Sequence, residues 1–166
     1  MKTLHKALVL GVLACALASC ESTSRTTQGR LRPSAITGTR RIANVRTTAY
    51  THTEKGGRRN AIGLRLSGAN VMSAASDWSR FPLGTRFHIV GTQDHYIIDD
   101  YGGALIGTDT IDLYKTSRSA MRQWGVRHVD IEIIEWGSKE QSLKVLNPRK
   151  KNRLIRRMIA GLEQKT

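Results

Sequence analysis

Over the middle of the chain the hydrophobic positions come in short runs, and near its end they change to helical spacing. His128 to Ile134 sets Val129, Ile131 and Ile133 against Asp130 and Glu132, the period-two alternation of a strand with one buried face. Arg46 to His52, Val71 to Ala75, Arg86 to Gly91, Tyr96 to Asp99 and Ile111 to Tyr114 are also of strand length, and most are rich in β-branched or aromatic residues. Gly-containing turns at Lys55-Gly56-Gly57, Pro82-Leu83-Gly84 and Tyr101-Gly102-Gly103 separate these runs. One short helix is predicted over Arg118 to Trp124, with Ser117 or Thr116 as N-cap and Gly125 ending it. Six strands and one short helix over residues 46–136 predict a mainly β domain closed into a small barrel.

Beyond it, residues 137–166 are predicted to form a basic, helical C-terminal tail. Asn147 reads as an N-cap with Pro148 at the first helical position, and Leu154, Ile155, Met158, Ile159 and Leu162 follow at helical spacing. Arg149, Lys150, Lys151, Arg153, Arg156 and Arg157 crowd the same stretch. Such a helix can lie on anionic lipid, contact an acidic wall polymer, or dock its apolar stripe on its own domain.

The first residues are of a different kind. Lys2 and Lys6 precede an apolar run of 12 residues, Ala7 to Ala18. That is short of the roughly 20 residues a membrane-crossing helix needs, and it suits the core of an export signal. The run closes on Leu17-Ala18-Ser19-Cys20, which resembles the bacterial lipobox. Residues 1–19 are therefore expected to be a lipoprotein signal peptide, with Cys20 as the acylated new N-terminus and the link to the membrane. Cys15 would leave with the signal, so the mature chain would form no internal disulfide. Glu21 in place of Asp resembles lipoproteins sent to the outer membrane, so the expected location is the cell envelope, on the periplasmic face of that membrane. Residues 20–45, rich in Ser, Thr, Arg and Gly, read as a flexible tether.

The formal charge of +14, from 27 basic and 13 acidic residues, points to an anionic partner. Its distribution narrows that. Residues 46–136 carry 11 basic and 10 acidic side chains, while residues 137–166 carry nine and two. The charge belongs to the ends, and nucleic acid is not expected as the partner of an exported protein. Chemistry is to be sought among the acidic residues of the middle: Asp77, Asp99, Asp100 and Asp112. Asp112 lies between Ile111 and Leu113; if those pack inward, Asp112 points into a groove or into solvent.

In order along the chain stand Thr48-Ala49-Tyr50, Asp77 with Pro82-Leu83-Gly84-Thr85, Asp100-Tyr101-Gly102-Gly103-Ala104-Leu105-Ile106-Gly107, Ile111-Asp112-Leu113-Tyr114, and Ser117 to Ala120. Together these resemble the bacterial 3D domain, named for three aspartates, which is related to the A-type membrane-bound lytic murein transglycosylases and, more distantly, to expansins. Trp78 stands where the family often has Pro, and the step from Asp100 to Asp112 is one residue longer than usual. The resemblance implies a double-psi β-barrel that cleaves the MurNAc–GlcNAc bond of peptidoglycan without water. It places Asp112 as the acid/base, with Asp100 as a second carboxylate that raises the pKa of Asp112. Thr48 or Tyr50 would hold Asp112 or the sugar, and Gly102 and Gly103 would let the chain pass close to the glycan. Trp78 and Tyr101, beside these aspartates, are candidate stacking platforms, whereas Trp124, ending a helix, and Trp136, ending a strand, read as core or rim packing. Asp77 precedes a tight turn and reads as structural, capping backbone amides. A non-catalytic, expansin-like peptidoglycan-binding module is the alternative. The histidines at 52, 88, 95 and 128 show no metal-ligand spacing, and neither a metal nor a cofactor is expected.

Overall fold

The computed structural model describes residues 40–54 and 56–164. The expected signal, Cys20 and most of the tether lie outside them. Six strands follow one another: β1 (Arg40–Tyr50), β2 (Val71–Ala75), β3 (Arg86–Ile89), β4 (His95–Asp100), β5 (Ile111–Tyr114) and β6 (Arg127–Glu135). They close in the order β1-β5-β2-β4-β3-β6. β1 runs parallel to β5 and β2 parallel to β4, while β6 pairs antiparallel with both β1 and β3 and shuts the barrel. This is a six-stranded closed barrel of the double-psi kind, and closure leaves none of the six with an unpaired edge.

The alternation seen in the sequence selects what goes inside. Ile131 and Ile133 are buried to 0% and 2% exposure, while Asp130 and Glu132 point outward. Ile111 and Leu113 are fully buried and meet Ala74, Phe87, Tyr96 and Ile98 in the interior. α1 (Arg118–Trp124) has the expected bounds, with the Ser117 side chain accepting from Ala120 N and Gly125 at φ 63° ending it.

Two boundaries differ from expectation by more than two residues. β1 begins at Arg40, so residues 40–45, assigned to the tether, pair with β6. No apolar alternation marks them, because a bulge between Ile42 and Val45 breaks the period. Asn44 takes φ 58° there, a conformation Asn tolerates better than most residues, and its N–H is held by Asp130 Oδ1 at 2.9 Å.

The tail is two helices rather than one. α2 (Lys139–Leu146) is capped by Ser138, and α3 (Arg153–Gln164) opens at Asn152, whose Oδ1 accepts from Leu154 N at 2.8 Å. Asn147-Pro148 starts only a 3₁₀ turn between them. Of the three readings of the tail's apolar stripe, the structure shows docking on its own domain. Leu146, Ile155, Met158 and Leu162 are buried in one cluster with Trp78 and Phe81. Gly161 permits the approach of α3: a Cβ there would stand 2.7 Å from the Ser79 side chain. Most basic side chains in the described part of the tail are exposed, while Arg149 reaches back to Tyr101 and Ala61 and Arg157 lies against Gly107.

Candidate functional site

Register explains how two aspartates reach one face. Asp112 lies opposite Thr48 on β1 and opposite Ala75 on β2. Since Ile111 and Leu113 face inward, Asp112 faces the outside of the barrel. On β4 the pairing slips: Ala74 stands beside Ile98, but Ala75 stands beside Asp100, so Asp99 is an extra residue. Without that bulge Asp100 would follow Ile98 toward the interior. With it, Asp100, Ala75, Asp112 and Thr48 form a row across four strands on the outer face. The methyl of Ala75 leaves the space between the two carboxylates open. A cleft of about 230 Å³ lies over this row, walled by Tyr50, Glu54, Leu66, Tyr101 and Gly102 among others.

The two carboxylates are held differently. Thr48 donates its hydroxyl to Asp112 Oδ1 at 2.6 Å, and Asp112 Oδ2 has no hydrogen bond among the described residues. Asp100 Oδ1 accepts from Tyr101 N at 2.9 Å, and its Oδ2 receives a long contact from Tyr50 OH at 3.4 Å. Burial pushes the Asp112 carboxyl up and the charge of Glu54 adds to this; the Thr48 hydrogen bond and Arg46 pull the other way. Burial raises Asp100 to about 6, helped by the charge of Asp99 and opposed by the Tyr101 amide. The expected cause of the Asp112 shift is thereby corrected. Two strand spacings, about 9–10 Å, separate the backbones of the pair, and Asp100 instead raises Tyr50, after burial. Tyr50 therefore stays a protonated donor in the cleft.

Asp99 faces the same side but is sealed below the cleft. Its Oδ2 accepts from Ser73 Oγ at 2.7 Å and Asn60 Nδ2 at 2.8 Å, and burial raises its pKa against both. Through Asn60, whose own Oδ1 accepts from Leu64 N, the loop after β1 is tied to the barrel.

The remaining candidates divide. Asp77 lies apart from the row, accepting from Ser79 N at 2.8 Å and Gly107 N at 2.6 Å. Trp78 cannot be a sugar platform: it is 0% exposed, donates Nε1–H to Asp100 O at 2.8 Å and packs edge-on to Tyr101. Its place beside Asp77 suggested the cleft, but the turn aims the ring under it. Tyr101 does line the cleft, with its hydroxyl accepting from Arg149 of the tail at 3.1 Å. Gly102 borders the cleft, whereas a Cβ on Gly103 would meet Leu154 of α3 at 3.2 Å, so its close approach is to the tail and not to a ligand. Trp124 is half-buried between Lys115 and Arg127, and Trp136, 45% exposed and stacked on Phe81, packs at the rim. Arg46, Glu54 and Asn60 were not singled out from the sequence, and Arg149 was named only as part of the basic tail. For Arg46 a signal existed: it lies two residues before Thr48, on the same face of one strand.

Linkage gives Asp100 a stability signature. Its pKa is higher folded than in an ordinary carboxylate, so the folded state holds the proton more tightly, and the stability present below about pH 4 is lost as pH rises through about 6. Asp100→Asn removes this cost and is expected to stabilise by on the order of 1–3 kcal/mol at pH 8 and by nothing near pH 4. Thermal melts across that range check it; a variant less stable at every pH would refute the assignment.

An outer-face pair of raised carboxylates on a six-stranded barrel defines the class of protein at the level of fold and site. Within it, residues 72–135 match the model of the 3D domain, a family associated with cell-wall and peptidoglycan-related, transglycosylase-like proteins. The match takes in Asp77, Asp100 and Asp112 and leaves out Thr48 and Tyr50. No curated protein matches the chain. Among the described residues no group of three or more His, Cys, Asp or Glu could hold a metal ion, and no helix is long and apolar enough to cross a membrane.

Proposed function

We propose that the protein is a lytic transglycosylase that cleaves the MurNAc–GlcNAc bond of peptidoglycan with Asp112 as its single acid/base. The observation that carries this is the state of Asp112: a carboxyl with raised pKa, one oxygen fixed by Thr48 and the other open to the cleft. A protonated Asp112 gives its proton to the glycosidic oxygen as the C1–O bond breaks. The C6 hydroxyl of the same sugar then bonds to C1 and returns its proton to Asp112, leaving a 1,6-anhydro end and the acid restored. No carboxylate has to activate water, so the wide separation of Asp100 from Asp112 is no obstacle. Asp100, ionised above about pH 6, places negative charge near the sugar as positive charge grows at C1. Tyr50 and Tyr101 offer hydroxyl and ring contacts to the glycan. Digestion of purified peptidoglycan by the full-length chain, read by mass spectrometry, is expected to yield 1,6-anhydro muropeptides. Binding to the same material without that product would favour the expansin-like, non-catalytic module.

The same reading includes a lipid anchor on Cys20 that holds the chain to the periplasmic face of an outer membrane. The exposed basic face of the tail then meets anionic lipid or wall polymer. Cells fed labelled palmitate should label the wild type and not Cys20→Ala; label retained in the variant would remove the anchor from the proposal.

A further inference from the structure

A second and larger cleft, of about 570 Å³, lies beside the first along β1. Arg40, Arg46 and Arg80 line it, with Asp109 as the one acidic neighbour and Trp136 as an exposed ring. Trp136 is held flat, its ring 6.3 Å from that of Phe81 and tilted by only 9°. Arg46 donates to Thr110 Oγ1 at 3.2 Å. Arg80 meets Asp109 at 3.2 Å in an exposed ion pair, a kind of contact that stabilises little and exchanges readily for a ligand's carboxylate. Arg40 has no ion pair among the described residues.

The two clefts share one face. Arg46 stands two residues from Thr48, and Thr110 two from Asp112, which is about 7 Å along a strand. The charge of Arg46 already reaches Asp112. A polymer lying over Asp112 therefore continues over Arg46 and onto Trp136. Guanidinium groups read carboxylates, and a fixed indole face stacks on a sugar ring. We propose that this cleft is a subsite for the carboxylate-bearing muramyl unit of the glycan, with Arg80 and Arg46 binding the carboxylate and Trp136 supporting the ring. The inference rests on the glycan-cleaving reading above and adds what that reading lacks, namely how the enzyme would tell an acidic strand from a neutral one.

The test uses the full-length chain in detergent on an Asp112→Asn background, so that ligand is not consumed. Three preparations from one peptidoglycan are titrated: fragments carrying stem peptides, fragments stripped of them so that lactyl carboxylates are free, and stem-bearing fragments whose carboxylates have been converted to amides. Amidation is expected to weaken binding about tenfold or more, as is Arg80→Gln, because each removes one side of a charge-assisted contact. Arg80→Gln should lose nothing further on amidated fragments, and Trp136→Ala should weaken binding of all three. Equal binding of stripped and stem-bearing fragments means that a carboxylate at either place, the freed lactyl group or the stem peptide, is read; binding of stem-bearing fragments alone makes it a peptide carboxylate; both support the subsite. Equal affinity for native and amidated fragments, or unchanged affinity in both variants, overturns it. The parent reading fails separately, if Asp112-dependent anhydro product is absent while carboxylate-dependent binding persists.

Discussion

Asp112→Asn is expected to lower formation of 1,6-anhydro product by about 10²–10⁴-fold, the range a positioned general acid supplies. The substitution keeps size and shape, and the amide oxygen can still accept the Thr48 hydroxyl that now meets Oδ1 at 2.6 Å. What disappears is a group able to give and retake a proton at the position of Oδ2. Loss of rate should therefore come without loss of glycan binding. Thr48→Val is expected to act on the same carboxyl from the other side. It removes a hydrogen bond that holds the pKa down, so the alkaline fall in rate should move to higher pH. Product analysis by mass spectrometry across pH checks both. Asp112→Asn with wild-type activity would end the acid/base assignment.

Met158→Ala is expected to destabilise the domain by roughly 2–5 kcal/mol, the cost of emptying a buried site of this size. Met158 is 0% exposed, and its sulfur lies 3.2 Å from the backbone nitrogen of Trp78. Trp78 in turn donates to the carbonyl of Asp100, so α3 supports the floor of the cleft at one remove. If the tail were only a membrane- or wall-binding appendage, the same change would leave stability within about 0.5 kcal/mol, as it should for the exposed Arg156→Gln. Urea unfolding of the full-length chain separates these outcomes. A transition for the tail distinct from that of the barrel would show that the two do not share a core.

Much of this was legible in short-range pattern. Val71–Ala75, Ile111–Tyr114 and Arg118–Trp124 have the bounds their composition and caps predict, because strand alternation and helix capping are local properties. The 3D motifs placed Asp100 and Asp112 as candidates, and both line one cleft. What misled was also local. Trp78 looked available because it adjoins an aspartate, yet burial is set by α3, more than 70 positions along the chain. Asn147-Pro148 carried a cap signal that the chain uses for a 3₁₀ turn, while Ser138 and Asn152 cap the real helices. Trp136, by contrast, takes the rim place its strand end allowed, stacked on Phe81 with part of its ring exposed in the larger cleft.

The division has a physical basis. Residue order settles which side chains alternate, where helices begin and where charge accumulates, since these depend on neighbours one to four positions away. It therefore sufficed for a mainly β core of nearly balanced charge, with a basic end and a handful of unexplained aspartates. Only the closed barrel sets register between strands, and register decides chemistry here. One extra residue at Asp99 turns Asp100 outward beside Ala75 and Asp112. The same closure brings Arg46 within electrostatic reach of Asp112 and seats the tail beneath Trp78, contacts between segments whose separation no local pattern records.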